Sequence, residues 1–188
     1  MRFSKNLISK ILLILSFNQI FLNIPKVKAA ENIKIVYSIF SRTITIESLK
    51  DFAKNGNSTN KLNRIINATG TPHDEIQTVL NKNFEIPITI ASKLVYSEIG
   101  NVFLTRLSSI IHTPNANDKN TGMLALRSSI IQGLYLGNGK INLIKFFEGY
   151  PTETVILNVN ALSKVMNKVQ SISELLNFFT NKPLEKIK

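Results

Sequence analysis

The sequence predicts a mostly α, α+β domain: a bundle of about six or seven helices carrying a small two- or three-stranded β-sheet. Two observations predict it. From Glu47 onward, apolar residues recur at spacings of three and four, punctuated by Gly, Asn and Pro. Only two segments, 33–46 and 154–157, read as strands, through β-branched composition and, in the first, alternation. The helical stripes present more apolar surface than so few strands can cover, so the helices must bury much of it against one another.

The first 29 residues read as a signal segment. Arg2, Lys5 and Lys10 precede an interrupted apolar run over 11–24, and Val27 and Ala29 are the small residues before a cut. The alternative is a retained anchor. A spanning helix needs about 20 predominantly apolar residues, and Asn18-Gln19 interrupts this run. The expected organisation is therefore a signal over 1–29, one helical domain with an N-terminal hairpin over 30–181, and a loose tail over 182–188. Export is expected, to a periplasm, a thylakoid lumen or a membrane surface. About 160 residues make one ordinary domain. Of the net charge of +11, five positive residues precede the cut, leaving about +6, spread thinly and mostly as Lys. Heavy use of Lys, Ile and Asn fits an AT-rich genome. With no arginine-rich helix or aromatic–basic ribbon, a nucleic-acid partner is not expected. The absence of cysteine excludes disulfides, thiol nucleophiles and Cys-ligated metal.

Taken in order, Ile33, Ile35 and Tyr37 alternate with Lys34, Val36 and Ser38. A turn near Phe40-Ser41-Arg42 leads into Thr43-Ile44-Thr45-Ile46. From Glu47 the period changes: Leu49, Phe52 and Ala53 form a stripe that Asn55-Gly56 stops. A second helix over 61–68 carries Leu62, Ile65 and Ile66 and ends at Gly70. Thr71 as N-cap and Pro72 in the first turn start a third, with Asp74 and Glu75 at its positive end and Ile76, Val79 and Leu80 inward. After Pro87, a helix or helix pair to about Ile111 is expected to turn Leu94, Ile99, Phe103, Leu107, Ile110 and Ile111 inward. Residues 113–121 read as a loop. An amphipathic helix then carries Leu124, Arg127, Ile130, Ile131 and Leu134 to Gly137-Asn138-Gly139. A short helix over 142–148 and the strand at 154–157 follow. The last helix starts near Asn160 with Leu162, Val165, Met166 and Val169, and the capping-box pattern Ser171-Ile172-Ser173-Glu174 implies a break before 175–179.

Several segments occur in an order shared with a known family: Ala29-Ala30-Glu31, Ile44-Thr45-Ile46-Glu47-Ser48-Leu49, Leu94-Val95-Tyr96-Ser97-Glu98-Ile99-Gly100, Ala125-Leu126-Arg127, and Phe146-Phe147-Glu148-Gly149-Tyr150-Pro151-Thr152. The chain resembles the N-terminal region of the cyanobacterial alpha/beta-hydrolase-associated family of unknown function, over about residues 30–180. In that family, the resemblance implies, such a helical region commonly precedes a hydrolase domain. Gly-x-Ser-x-Gly, the nucleophile elbow of such a domain, does not occur in this sequence. The expectation is an accessory region with no catalytic residue of its own, beside a hydrolase or another envelope protein.

Candidate sites are few. His73 and His112 are the only histidines. Neither sits in a spacing that suggests a Ser-His-Asp set or a metal cluster, so no cofactor or metal is expected. Arg127, on or beside an apolar helix face, reads either as a partly buried residue paired with Glu98, Glu148 or Glu153, or as an anion-binding residue in a cleft. Gly137-Asn138-Gly139-Lys140 lacks P-loop spacing and reads as a turn. Lys164 and Lys168, with Lys182, Lys186 and Lys188, read as solvated, the alternative being weak contact with an anionic membrane or envelope polymer. The expected contact surfaces are the loop over 113–121 and the aromatic corner of Phe146, Phe147 and Tyr150, for which the core is the competing placement.

Overall fold

A computed structural model describes residues 29–115 and 119–166, without the side chains at 119 and 163–166. The elements follow in the order β1 (Asn32–Tyr37), β2 (Phe40–Thr45), α1 (Ile46–Asn55), α2 (Asn60–Thr69), α3 (His73–Asn81), β3 (Phe84–Glu85), α4 (Ile88–Val95), α5 (Glu98–Leu107), β4 (Ile111–His112), α6 (Lys119–Leu136), β5 (Lys140–Ile141), α7 (Leu143–Glu148), β6 (Thr154–Asn158) and α8 (Val159–Met166). The protein is mostly helical with a small sheet, as its patterning predicts. The expected signal segment, the helix over 175–179 and the tail lie outside the described residues. So do Lys168, Lys182, Lys186 and Lys188, and the side chain of Lys164.

The sheet is larger than a hairpin plus one strand. Its order is β2-β1-β6-β4. β1 and β2 form the expected antiparallel hairpin, but the turn is Ser38-Ile39, not Phe40-Ser41-Arg42. Tyr37 pairs with Phe40, and Ser38 takes φ 53° to close the loop. β6 runs parallel to β1, with Ile33 beside Val155. A parallel pair needs a crossover, and here nearly every helix lies within it. β4 pairs antiparallel with β6, and β3 with β5 forms a separate two-stranded ribbon. These three two-residue strands are too short to show a period in sequence.

Helix starts and stops are set by single residues. Thr45 caps α1 by accepting from Ser48 N, and Gly56 ends it at φ 72°. Thr59 caps α2 and Gly70 ends it at φ 68°. At α3 the expectation fails: Pro72 is the N-cap, with no side-chain cap bond. Gln77 Nε2 and Asn81 Nδ2 on α3 donate to the terminal carbonyls of α1 at Phe52 and Ala53, satisfying groups the helix leaves open.

The core runs between the sheet and α1, α6 and α7, with Phe52, Leu126, Tyr150 and Val155 fully buried. Ala30 is buried too, and its N–H donates to the Tyr150 carbonyl at 3.1 Å. Four residues expected inside are outside: Val79, Leu94, Ile99 and Leu124. For Leu94 and Ile99 the reason is the break between α4 and α5. Ser97 restarts the helix by capping Gly100 N, which resets the phase. Ala91, Val95 and Leu104 become the inward positions.

Candidate functional site: the Arg127 corner

The α4–α5 corner is built on close approach. Ser97 Oγ donates to the Leu94 carbonyl and accepts from Gly100 N. A Cβ on Gly100 would lie 2.0 Å from Leu94 O, so only glycine fits. The corner presents the Val95 carbonyl and the Tyr96 ring to α6. Arg127 on α6 meets both. Its Nε donates to Val95 O at 3.0 Å, Nη2 donates to Asn101 Oδ1 and contacts Met123 Sδ, and the guanidinium lies 4.4 Å from the centroid of the Tyr96 ring.

Arg127 is only 8% exposed. The carboxylate pairing expected from sequence is not what holds it: carbonyl, amide oxygen and ring face take that place. Glu148 pairs instead with Lys50 and Lys145, and Glu98 is exposed at the start of α5. The compensation is physical. The cation sits at the C-terminal end of α4, where the helix dipole favours positive charge, and a planar guanidinium can stack and donate from separate edges at once, as an ammonium cannot.

Beside this clamp runs a groove of about 280 Å³ lined by Tyr96, Leu124, Arg127, Ser128, Ile131 and Gln132. Of its lining, Tyr96 and Leu124 are each more than half exposed, as are Leu94 and Ile99 on the α4–α5 corner. Sequence reasoning singled out Arg127 but missed the rest, because it turned Leu94, Ile99 and Leu124 inward. The usable signal was Ser97, an N-cap residue in mid-pattern followed by Gly100. A larger, more open hollow is lined by Asp74, Gln77, Thr78, Asn81 and Lys82, two of which cap α1.

The aromatic corner belongs to the core. Phe146 and Phe147 pack edge to face at 5.4 Å, and both are buried with Tyr150, so they offer no surface to a partner. Burial pushes the Tyr150 phenol well above its ordinary pKa, and among the described residues its hydroxyl has no hydrogen-bond partner. Removing an unsatisfied buried hydroxyl recovers its desolvation cost. Tyr150→Phe is therefore expected to stabilise the protein by about 1 kcal/mol, read as a raised denaturation midpoint with an unchanged slope.

The expected contact loop over 113–121 is also shorter than it reads. Lys119 to Thr121 belong to α6, Thr113 is buried, and residues 116–118 lie outside the described residues. The histidines are apart. His73 shares a hydrogen bond with Asn63 Oδ1 and lies edge-on to Phe52, while the His112 ring engages the Thr113 carbonyl. Among the described residues no group of three or more His, Asp or Glu could hold a metal ion, and no helix is long and apolar enough to cross a membrane.

Glu148 joins α7 to α1 through Lys50 at 3.1 Å and is paired within its helix to Lys145 at 2.8 Å. Burial pushes its pKa up, but the hydrogen bonds from the two lysines outweigh that and hold it below the ordinary value. A depressed carboxylate contributes stability above its unfolded pKa of about 4.3, and that stability is lost as pH falls through the folded value. Glu148→Gln should cost about 1 kcal/mol at neutral pH, allowing for the lysines' exposure, and nothing once both forms are protonated. Urea midpoints of wild type and variant at neutral and acid pH test this.

A family model described as alpha/beta hydrolase of unknown function (DUF1400) matches residues 29–158. None of the curated proteins and none of the solved structures matches the chain.

Proposed function

The chain belongs to this family of alpha/beta hydrolases of unknown function, and from that premise we propose that it is an exported accessory or binding module, not itself a catalyst. The observation that carries this reading is the exposed apolar surface around the Arg127 corner. Leu94, Tyr96 and Ile99 are exposed on the α4–α5 corner and Leu124 on α6, and of these Tyr96 and Leu124 line one groove. Apolar surface gathered at a concave site is what binding sites are made of. The expected partner is an envelope protein, a hydrolase among them, or a ligand presented there. Export rests on the sequence pattern of the first 29 residues.

Crosslinking the native protein in its own envelope, followed by identification of what is captured, tests this. One discrete protein partner, lost when Ile99→Asp and Leu124→Asp are introduced together, supports the reading. Undiminished capture by that double variant overturns it. N-terminal sequencing of the native protein tests export: a start at Ala30 or Glu31 supports it, and recovery of Met1 on a cytoplasmic protein contradicts it.

A second reading, peripheral contact with an anionic membrane, has one observation in its favour. The hairpin tip exposes Tyr37, Ile39 and Phe40 next to Arg42, with Ile39 88% exposed. Aromatic and apolar side chains beside a cation suit a membrane interface. That reading predicts salt-sensitive binding to anionic vesicles, weakened by Ile39→Asp. Hydrolysis is the reading the family's description suggests. Turnover of a short-chain ester, abolished by His73→Ala or His112→Ala, would replace the binding reading with it.

A further inference from the structure

The Arg127 guanidinium is a charge more than nine-tenths buried, and among the described residues its partners are a carbonyl, an amide oxygen, a thioether sulfur and a ring face. None of these is an anion. Nη1 has no hydrogen-bond partner among the described residues, yet it is not among the buried atoms left unsatisfied, so solvent still reaches it. Among the described residues, Arg127 is also the one charged residue lining the groove. The other lining residues divide by chemistry: Ser128 and Gln132 supply donors on the exposed side of α6, while Leu124, Ile131 and Tyr96 supply apolar wall.

We propose that this groove binds a carboxylate at the end of a short apolar body, with Arg127 Nη1, the Ser128 hydroxyl and the Gln132 amide facing the carboxylate and Leu124, Ile131 and Tyr96 facing the apolar part. A guanidinium with a free edge in a partly desolvated site favours a planar anion. Apolar walls then discriminate against small inorganic anions, which gain nothing from them. The groove volume of about 280 Å³ lies at the lower end for small-molecule sites and so calls for a short ligand. The proposal rests on the reading of this face as a binding face and names what it reads.

The test titrates the intact chain with octanoate and with octan-1-ol, followed by proton–nitrogen correlation spectra that include the Arg127 Nε–H resonance. Octanoate should bind saturably and shift Arg127 Nε–H with the amides of Leu124, Ser128 and Ile131, and octan-1-ol should bind at least about tenfold more weakly. N-acetylleucine distinguishes the two sources of such a group. Tighter binding than octanoate identifies a peptide C-terminus, and weaker binding an acyl chain. Gln132→Glu changes an exposed position that the fold does not use, and its carboxylate should weaken octanoate binding at least about tenfold by like-charge repulsion. Equal affinity for octanoate and octan-1-ol, shifts confined to other surfaces, or full binding by Gln132→Glu would each overturn the proposal. If octanoate fails while crosslinked capture still depends on Ile99 and Leu124, the carboxylate proposal falls and the binding reading stands.

Discussion

Arg127→Ala is expected to destabilise the protein by about 3–4 kcal/mol, the largest loss from any single polar side chain in the domain. The variant removes two charge-assisted hydrogen bonds and the stack on Tyr96, worth about 1.5–3 kcal/mol per charged hydrogen bond and about 1 kcal/mol for the stack, offset in part by relief of the guanidinium's desolvation cost. It also leaves a void under the α4–α5 corner. Arg127→Lys keeps the charge but cannot donate to Val95 O and Asn101 Oδ1 while stacking, so it should lose about half as much. Both are read from denaturant midpoints. A loss below about 1 kcal/mol for alanine would mean that the clamp contributes little. If the clamp sets the corner, amide exchange in Arg127→Ala should quicken first at Tyr96 to Asn101.

The second large effect is steric. Gly149 follows α7 where it crosses α6, and a Cβ there would stand 2.6 Å from Gly133 N and 2.7 Å from Ser129 O. Both are backbone atoms of the central helix, so no side chain can swing aside. The approach is tight enough for the Ser129 hydroxyl, itself fully buried, to donate to the Phe146 carbonyl. Gly149→Ala should cost about 3 kcal/mol, at the upper end for overpacking. Gly70→Ala makes the contrast. A Cβ there meets nothing within 4 Å, and only the left-handed φ of 68° opposes it, so about 1 kcal/mol is expected. A smaller loss at Gly149 than at Gly70 would contradict the close α6–α7 approach.

The parts of the fold that sequence made legible are those set by local chemistry. Gly56 and Gly70 take the left-handed conformation that stops a helix, and the short helix read over 142–148 is α7, with Asn142 just outside it as the N-cap that accepts from Lys145 N. The hairpin's β-branched alternation puts Ile33 and Ile44 in the core, while Ile46, read as the end of the second strand, is the buried first residue of α1. What was not legible depends on distant partners. β4 exists because β6 offers it an edge, and its two residues carry no pattern of their own. Of the inward set after Pro87, Phe103, Leu107, Ile110 and Ile111 are buried or pack on the core, while Leu94 and Ile99 were misassigned because one helical phase was carried through Ser97, which starts a new one.

The site divides the same way. Arg127 stood out as an arginine on an apolar face, and the choice between clamp and cleft was visible. Its partners were not, because the nearest obvious candidates were carboxylates and the actual acceptors are a backbone carbonyl and Asn101. The aromatic corner drew attention by density alone. Phe146, Phe147 and Tyr150 turn inward because α7 is short and packs across α6 and α1, leaving Leu143 as its exposed apolar residue.

Site-specific photocrosslinking in the native envelope tests the binding face most directly, with the photoreactive group placed at Leu124 and, as a control, at exposed Lys61 on α2. A binding face at the Arg127 corner predicts one discrete adduct from position 124 that is lost in the Ile99→Asp background, and none from position 61. Equal labelling from both positions, or an adduct from 61 alone, would contradict it.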